Sequence, residues 1–280
     1  MSNRVALVTG ASSGIGEDAA RRLREADFEV YAVARRVERM AGLERHGVTV
    51  FGMDVTDDAS MERGVQRIID ERGRIDVLVN NAGYGSYGAV EDVPISEARR
   101  QFEVNVFGLA RMCQLVTPHM RAAFAEHDRR GRIINISSIG GKFYEPLGAW
   151  YHATKFAVEG FSDSLRLELG PFGIDVVIIE PAAIRTEWNE ISRDNLRASS
   201  AGGAYAEMAD KVARVMERAD TSRLLSTGPE PVGKKIVTAA LANTPRVRYP
   251  VGRGGGTIVR LRRLLPDPVF DYLVKGQYLR

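Results

Sequence analysis

Tyr151 and Lys155 stand four residues apart in Tyr151-His152-Ala153-Thr154-Lys155, a spacing that puts a phenol and an ammonium on one face of a helix. Side by side they can move a proton near neutral pH. A phenol titrates near 10, and bringing it to about 7 takes roughly 4 kcal/mol. An ammonium about 4.5 Å away supplies roughly 3.7 kcal/mol at an effective dielectric of about 20. A phenol so adjusted suits proton delivery to a ketone oxygen as hydride reaches the carbon, or the reverse. Ser137 and Ser138 end the apolar run before this pair, and a serine hydroxyl there can hold the same oxygen. A packed tyrosine beside a solvated lysine has the same spacing, so context decides.

That context begins with Thr9-Gly10-Ala11-Ser12-Ser13-Gly14-Ile15-Gly16, which follows the apolar Val5–Val8 and opens a helical pattern. Strand, glycine turn and helix start gather backbone N–H groups and the positive end of a helix dipole, which suits a pyrophosphate. Gly10 allows the turn, Gly14 lets phosphates approach the backbone, and Gly16 lets the helix pack on the sheet. The spacing is GxxxGxG rather than GxGxxG. The next strand ends in Ala34-Arg35-Arg36, where an NAD-selective fold places a carboxylate on the ribose 2′-hydroxyl. A guanidinium there accepts a 2′-phosphate in a bidentate fork. The expected cofactor is therefore NADP(H), with Arg35 as the main phosphate contact and Ser13 or Arg36 assisting.

The elements that must position these groups alternate. Apolar runs predict strands at Val5–Thr9, Glu29–Ala34, Val48–Met53, Ile75–Asn80, Arg132–Ser137, Asp175–Glu180 and Val247–Val251. Between them, 3.6-residue periodicity predicts helices over 15–26, 57–72, 97–125, 151–169 and 231–242. Alternation of this kind predicts an α/β fold, a doubly wound, Rossmann-type parallel sheet of about seven strands with helices on both faces. Residues 1–280 read as one dinucleotide-binding catalytic domain. Residues 187–227 follow a strand's carboxyl end, exceed an ordinary connection and read as a substrate lid. Residues 254–280 read as a C-terminal appendage.

Composition narrows the classes. The 280 residues are 44% hydrophobic and 27% charged, ordinary globular usage. Cys113 is the single cysteine; it excludes an intrachain disulfide and thiolate clusters, and its helical context predicts a buried packing residue. His46, His119, His127 and His152 lack HExxH or HxxxH spacing, so no metal site is expected. No apolar run is long enough for a signal-peptide core or a membrane span, so a cytoplasmic protein without an integral membrane segment is expected. A net charge of +3 is too balanced to imply nucleic acid. The eight Lys or Arg between Glu230 and Asp267, with no acid among them, predict a solvated or interface face, with an anionic partner or a membrane surface as the alternatives.

Taken together, these residues resemble the short-chain dehydrogenase/reductase family. The matching elements are Thr9 to Gly16, Asp54-Val55, Asn80-Asn81-Ala82-Gly83, Asn105-Val106, Ser138, Tyr151, Lys155 and the stretch Pro181 to Thr186. The resemblance implies that Ser12, Ser13 and Ile15 join the glycines in the cofactor loop, that Asp54 and Val55 meet the adenine, and that Asn80, Asn81, Ala82 and Gly83 line the adenosine side. It implies that Lys155 bonds the nicotinamide ribose, and that Asn105 anchors a water leading from Lys155 to solvent. Pro181, Ile184 and Thr186 would grip the nicotinamide amide, although Ala182 stands where the family commonly has glycine. Ser138 is preferred to Ser137 because it lies thirteen residues before Tyr151, the family's usual interval. Asn105, Ser138, Tyr151 and Lys155 would thus be catalytic.

Within the family, Ser138 to Gly141 and Lys155 to Phe161 look most like the 17β-hydroxysteroid and retinol dehydrogenase-like group, implying a bulky apolar alcohol or ketone. Trp188, Leu196, Met208 and Met216 of the lid, with Phe143, Leu147 and Trp150, would line its pocket. The small stripe Ala153, Ala157, Gly160, Ser164 packs either on the sheet or, as the resemblance favours, across a two-fold axis, giving a homodimer or homotetramer. Two other readings compete: an acyl-carrier or CoA-thioester 3-ketoreductase docked through the basic C-terminal region, and a non-catalytic NADP(H) sensor. The sensor predicts a damaged tetrad, and all four residues are present.

Overall fold

The computed structural model describes residues 4–200, 202–222 and 224–279. Seven strands, β1 (Val5–Thr9), β2 (Glu29–Ala34), β3 (Thr49–Gly52), β4 (Val77–Asn80), β5 (Gly131–Ile136), β6 (Ile174–Pro181) and β7 (Arg248–Val251), form one sheet in the order β3-β2-β1-β4-β5-β6-β7. Every pairing is parallel. The order reverses between β1 and β4, so the crevice past their carboxyl ends is the switch point where such sheets take ligands. β1 and β6 are buried nearly throughout, because both sheet faces carry helices.

The helices are α1 (Gly14–Glu25), α2 (Ala41–Arg45), α3 (Asp58–Arg72), α4 (Ile95–Phe102), α5 (Leu109–His127), α6 (Ala149–Leu169), α7 (Glu187–Ser200), α8 (Ala206–Thr221), α9 (Glu230–Leu241), α10 (Gly255–Leu264) and α11 (Asp267–Tyr278). One core packs Ala19, Ala20 and Leu23 of α1 and Val232 and Ile236 of α9 against the sheet. The other packs Met61, Val65 and Ile68 of α3, Met112, Cys113 and Val116 of α5, and Val158 of α6 against the opposite face. Cys113 is buried, as its helical pattern suggested.

The single helix expected over 97–125 is instead α4 and α5 joined by one π-helical turn, Glu103–Gly108. Its wider winding carries Asn105 at the turn's centre, and apolar periodicity does not register the change. The segment 187–227 holds a helical pair, α7 and α8, whose base is stitched by a bridge between Ile184 and Thr227. Residues 254–280 are more than an appendage as far as they are described: Phe270 of α11 packs edge-on to Phe143 and Tyr144 of the β5–α6 connection, and the Tyr278 phenol donates to Glu145.

Candidate active site

The glycine loop is held by its neighbour strand. Gly10 has φ +67, and a side chain on it would come within 2.7 Å of the Ala82 backbone. Only glycine tolerates both. A Cβ on Gly16 would lie 2.4 Å from Asn81 Nδ2, so α1 sits on the loop as closely as backbone allows. Asn81 Nδ2 donates to the carbonyls of Thr9 and Gly10 at 3.1 and 3.0 Å, and the amides of Asn81 and Ala82 donate to Thr9 Oγ1, each at 3.1 Å. Asn81 therefore braces the loop. Asn80, its neighbour, points into the interior, where Nδ2 donates to Asn135 Oδ1 at 3.0 Å.

At the end of β2, Arg35 is exposed and makes no hydrogen bond or ion pair among the described residues. Arg36 reaches over the loop, with Nη2 3.5 Å from Ser12 Oγ and 3.7 Å from Glu187. Arg39, which no sequence pattern singled out, grips Glu187 at the start of α7 in a bidentate pair of 2.6 and 2.9 Å. The pair holds the Glu187 carboxyl below its ordinary range. After β3, Asp54 Oδ1 accepts from the Thr56 amide and hydroxyl, while Val55 packs under Gly108 of the π turn. A narrow, glycine-floored loop at a helix start, with no acid at the end of β2 and two arginines beside it, fits a dinucleotide diphosphate.

Tyr151 lies in the first turn of α6, walled by Trp188 at 5.0 Å and Tyr87 at 5.7 Å between ring centroids. Burial pushes its phenol up to about 12; a hydrogen bond with Ser138 opposes the shift and the Glu145 charge adds to it. Ser138 also accepts from the Gly140 amide at 3.0 Å, capping the short turn Ile139–Gly141. Ser137, by contrast, is buried with its hydroxyl unpartnered. The Lys155 ammonium donates to the Ile136 carbonyl at 3.0 Å and lies 5.9 Å from the Tyr151 ring centroid. Burial brings Lys155 down to about 8, with Glu159 opposing. The expected phenol near 7 is therefore not what this arrangement holds: desolvation outweighs an ammonium engaged elsewhere.

Asn105 is buried. Its Oδ1 accepts from the Tyr84 amide at 3.0 Å, and its Nδ2 donates to the Tyr84 carbonyl at 2.9 Å and to Thr154 Oγ1 at 3.1 Å. It ties the loop after β4 to α6. Pro181 ends β6, and the Ala182 amide donates to Val251 at 2.7 Å. The Ala182 methyl fits because glycines stand at 252 and 255, where added Cβ atoms would lie 3.0 and 3.1 Å from it. Thr186 packs on Gly14, which brings the segment Pro181 to Thr186 back to the cofactor loop. Leu147, Leu196, Trp188, Met208 and Met216 join Tyr87 and Tyr151 in a third apolar cluster. Trp150, expected there, instead lines an outer cleft with Ile95 and Phe107, because it faces away from Tyr151 on the helix. Phe143 stacks near His152, ring centroids 5.7 Å apart.

The short chain dehydrogenase family model matches residues 4–197, and the chain belongs to that family. It is 36% identical over 279 residues to a 3-ketodihydrosphingosine reductase of Bacteroides thetaiotaomicron, covering 99% of each protein. It is 32% identical over 277 residues to an NADPH-dependent 3-dehydrocapnine reductase of Ornithobacterium rhinotracheale, covering 96% of this chain and 95% of the relative. Among solved structures, a short-chain dehydrogenase from Streptomyces avermitilis superposes with a TM-score of 0.80 at 30% identity, covering 98% of this chain and 96% of that one. The protein is thus an oxidoreductase of the short-chain type on a Rossmann-type sheet. Among the described residues, no helix is long and apolar enough to cross a membrane.

Proposed function

We propose that the protein is an NADP(H)-dependent reductase of a hydrophobic ketone, working on a long-chain ketone of the sphingoid-base kind rather than on a steroid or retinoid. The observation that carries this reading is Tyr151, a phenol held in its protonated form against Ser138 in an aromatic, apolar pocket. A protonated phenol is the group a ketone oxygen needs when it gains negative charge. The 3-ketodihydrosphingosine reductase of Bacteroides supports a ketone of this kind, and the NADPH-dependent 3-dehydrocapnine reductase of Ornithobacterium supports NADPH.

The cofactor, when bound, supplies the hydride. Ser138 holds the substrate oxygen in place, and Tyr151 donates the proton to it. Lys155, titrating near 8, resupplies Tyr151 and binds the ribose. Asn105 fixes the loop and the helix between which this transfer runs. Gly10, Ser12, Ser13, Gly14, Ile15 and Gly16 seat the diphosphate at the start of α1. Arg35 receives the 2′-phosphate with Arg36 and Ser13 beside it; Asp54, Val55 and the Asn81–Gly83 segment border the adenosine, and Pro181, Ile184 and Thr186 border the nicotinamide. Residues 187–227 close over the substrate as the lid of a single catalytic domain.

The assembly is a homodimer or homotetramer in the cytoplasm, built on the stripe Ala153, Ala157, Gly160 and Ser164. The test is NADPH and NADH oxidation against long-chain, steroid, retinoid and acyl-thioester ketones. Arg35→Ala should raise the KM for NADPH at least tenfold and leave that for NADH within about twofold, since it removes a charge-assisted fork. A wild-type preference for NADH, or turnover of the steroid alone, overturns the reading.

A further inference from the structure

The outer faces of α10 and α11 keep Ile258, Leu261, Leu264, Val269 and Leu273 in water, Leu264 at 79% exposure. A helix turns about 100° per residue, so Ile258, Leu261 and Leu264 share one side of α10, with exposed Arg260 and Arg263 bordering them. The other side turns inward: Arg262 lies over the rings of Tyr144 and Phe270 at 5.3 and 5.1 Å and pairs with Asp267 at 2.6 Å. α11 repeats the arrangement. Phe270 is buried, Val269 and Leu273 face outward one turn apart, and exposed Lys275 lies further round the helix. Only Leu265 and Pro266 separate the two helices, and both pack inward on the same aromatic group, so their apolar faces adjoin.

The charge around these faces has one sign. Arg253, Arg260, Arg263 and Lys275 are exposed and take part in no ion pair among the described residues. The acids of the segment are engaged: Asp267 holds Arg262, and Asp271 accepts from the Tyr144 phenol at 2.8 Å. A second copy of the chain meeting this face across a two-fold axis would bury the leucines but set the cations against their own copies. An acidic protein would match the cations and leave Leu261 and Leu264 in water. A bilayer with anionic headgroups satisfies both requirements. Apolar side chains enter the boundary between headgroups and acyl chains, while arginines on the flank stay among the phosphates.

We propose that α10 and α11 dock the protein on the surface of an anionic lipid bilayer. They would lie in the plane of the interface, since ten and twelve residues fall well short of the roughly 20 that a span needs. Their position gives the docking a use. The inner side of α11 brings Tyr278 into the apolar cluster of Tyr87 and Tyr151, where its phenol donates to Glu145. The helices that meet the bilayer thus also wall the pocket, which shortens the path of a lipid-dissolved ketone to Tyr151. That consequence rests on the reading of Tyr151 as proton donor to a hydrophobic ketone; the docking does not.

The experiment sediments the full chain with vesicles of phosphatidylcholine alone and with vesicles containing about one-third phosphatidylglycerol. Wild type should partition onto the anionic vesicles at least about tenfold more strongly than onto the neutral ones, and about 0.5 M salt should release it. Arg260→Gln with Arg263→Gln should weaken that partition by about twentyfold or more, since each cation near such a surface is worth about fivefold. Leu261→Ser with Leu264→Ser should weaken it by about tenfold or more. All four positions are exposed, so the melting temperatures of both variants should match wild type. No binding of wild type to anionic vesicles, or full binding by the arginine variant, overturns the proposal. Binding that the leucine variant keeps in full also overturns it and leaves a purely electrostatic face suited to an acidic protein. Self-association that the leucine variant loses, without vesicle binding by wild type, would give the face to a second copy. Anionic vesicles should also raise wild-type turnover of a long-chain ketone and not that of the arginine variant. Should wild type bind the vesicles and reduce no ketone, the hydrophobic-ketone reading fails and the docking stands.

Discussion

A phenol at about 12 and a lysine at about 8 set how the rates of reduction and oxidation respond to pH. Tyr151 is protonated at every physiological pH, ready to give a proton and poor at taking one. Ketone reduction at limiting substrate should therefore stay flat between pH 6 and 8, whereas oxidation of the matching alcohol should rise about tenfold per unit over that interval. A plateau in oxidation near pH 7 would contradict the assignment. Lys155 gives a separate test on stability. Its folded value lies below the ordinary 10.5, so below about 8 the folded state carries a buried charge at a cost, and between about 8 and 10.5 the unfolded state holds more protons and stability rises with pH. Lys155→Met should abolish turnover yet raise unfolding free energy at pH 7 by on the order of 2 kcal/mol, an advantage that shrinks to nothing above pH 10.5; urea melts at pH 7 and 10 read it. The tyrosine, the lysine and the glycines were legible because their spacing within one helix or loop is itself the signal. Glu145, Arg39 and the brace made by Asn81 were not. Glu145 meets Tyr278 across 133 residues and Arg39 meets Glu187 across 148, and no local pattern encodes such a meeting.

Elements were legible where burial imposes a period. β1 and β2 fall on the residues their apolar runs predict, and the remaining strands lie within the predicted runs or extend them by one residue. Between 187 and 280 the helix over 231–242 and the strand at Val247–Val251 were legible because α9 and β7 join the sheet core, whereas α7 and α8 pack around Tyr87 and Tyr151 and α11 on the β5–α6 connection. The π turn at Glu103–Gly108 is invisible for another reason: adding one residue to a helix leaves its composition unchanged. The glycine loop shows how strictly one element can depend on a single backbone position. Gly10→Ala would place a methyl 2.7 Å from the Ala82 backbone at φ +67, so either the loop or β4 must shift. We expect a loss of about 2–4 kcal/mol and at least a tenfold weaker NADPH Kd, read by thermal melting and by quenching of protein fluorescence. An unchanged Kd would mean that the loop does not carry the diphosphate.

At the scale of the molecule, the sheet is covered on both faces and its two cores are closed, yet α6 is not finished. Ala153, Gly160 and Ser164 are exposed and Ala157 is half-buried, so the stripe faces outward and packing on the sheet does not account for it. A Cβ at Gly160 would meet nothing within 4 Å. Large apolar side chains, Phe156 at 47% and Leu167 at 69% exposure, flank it. Small residues in a row let two helix backbones approach closely, and flanking apolar groups then bury against the partner. The partner proposed for it is a second copy of α6, since a two-fold axis makes such a surface complementary to itself. Such an assembly would also bear on the site, because Tyr151 and Lys155 sit on the same helix and would gain rigidity from anything that clamps it. Light scattering at micromolar concentration should give a multiple of the chain mass for wild type and the single-chain mass for Gly160→Arg, whose long cation cannot be buried in the contact. That variant should keep its melting temperature within a few degrees at low concentration but lose part of its kcat, because α6 is then held from one side alone. A wild-type monomer, or a Gly160→Arg variant that still assembles, would place the contact elsewhere on the surface.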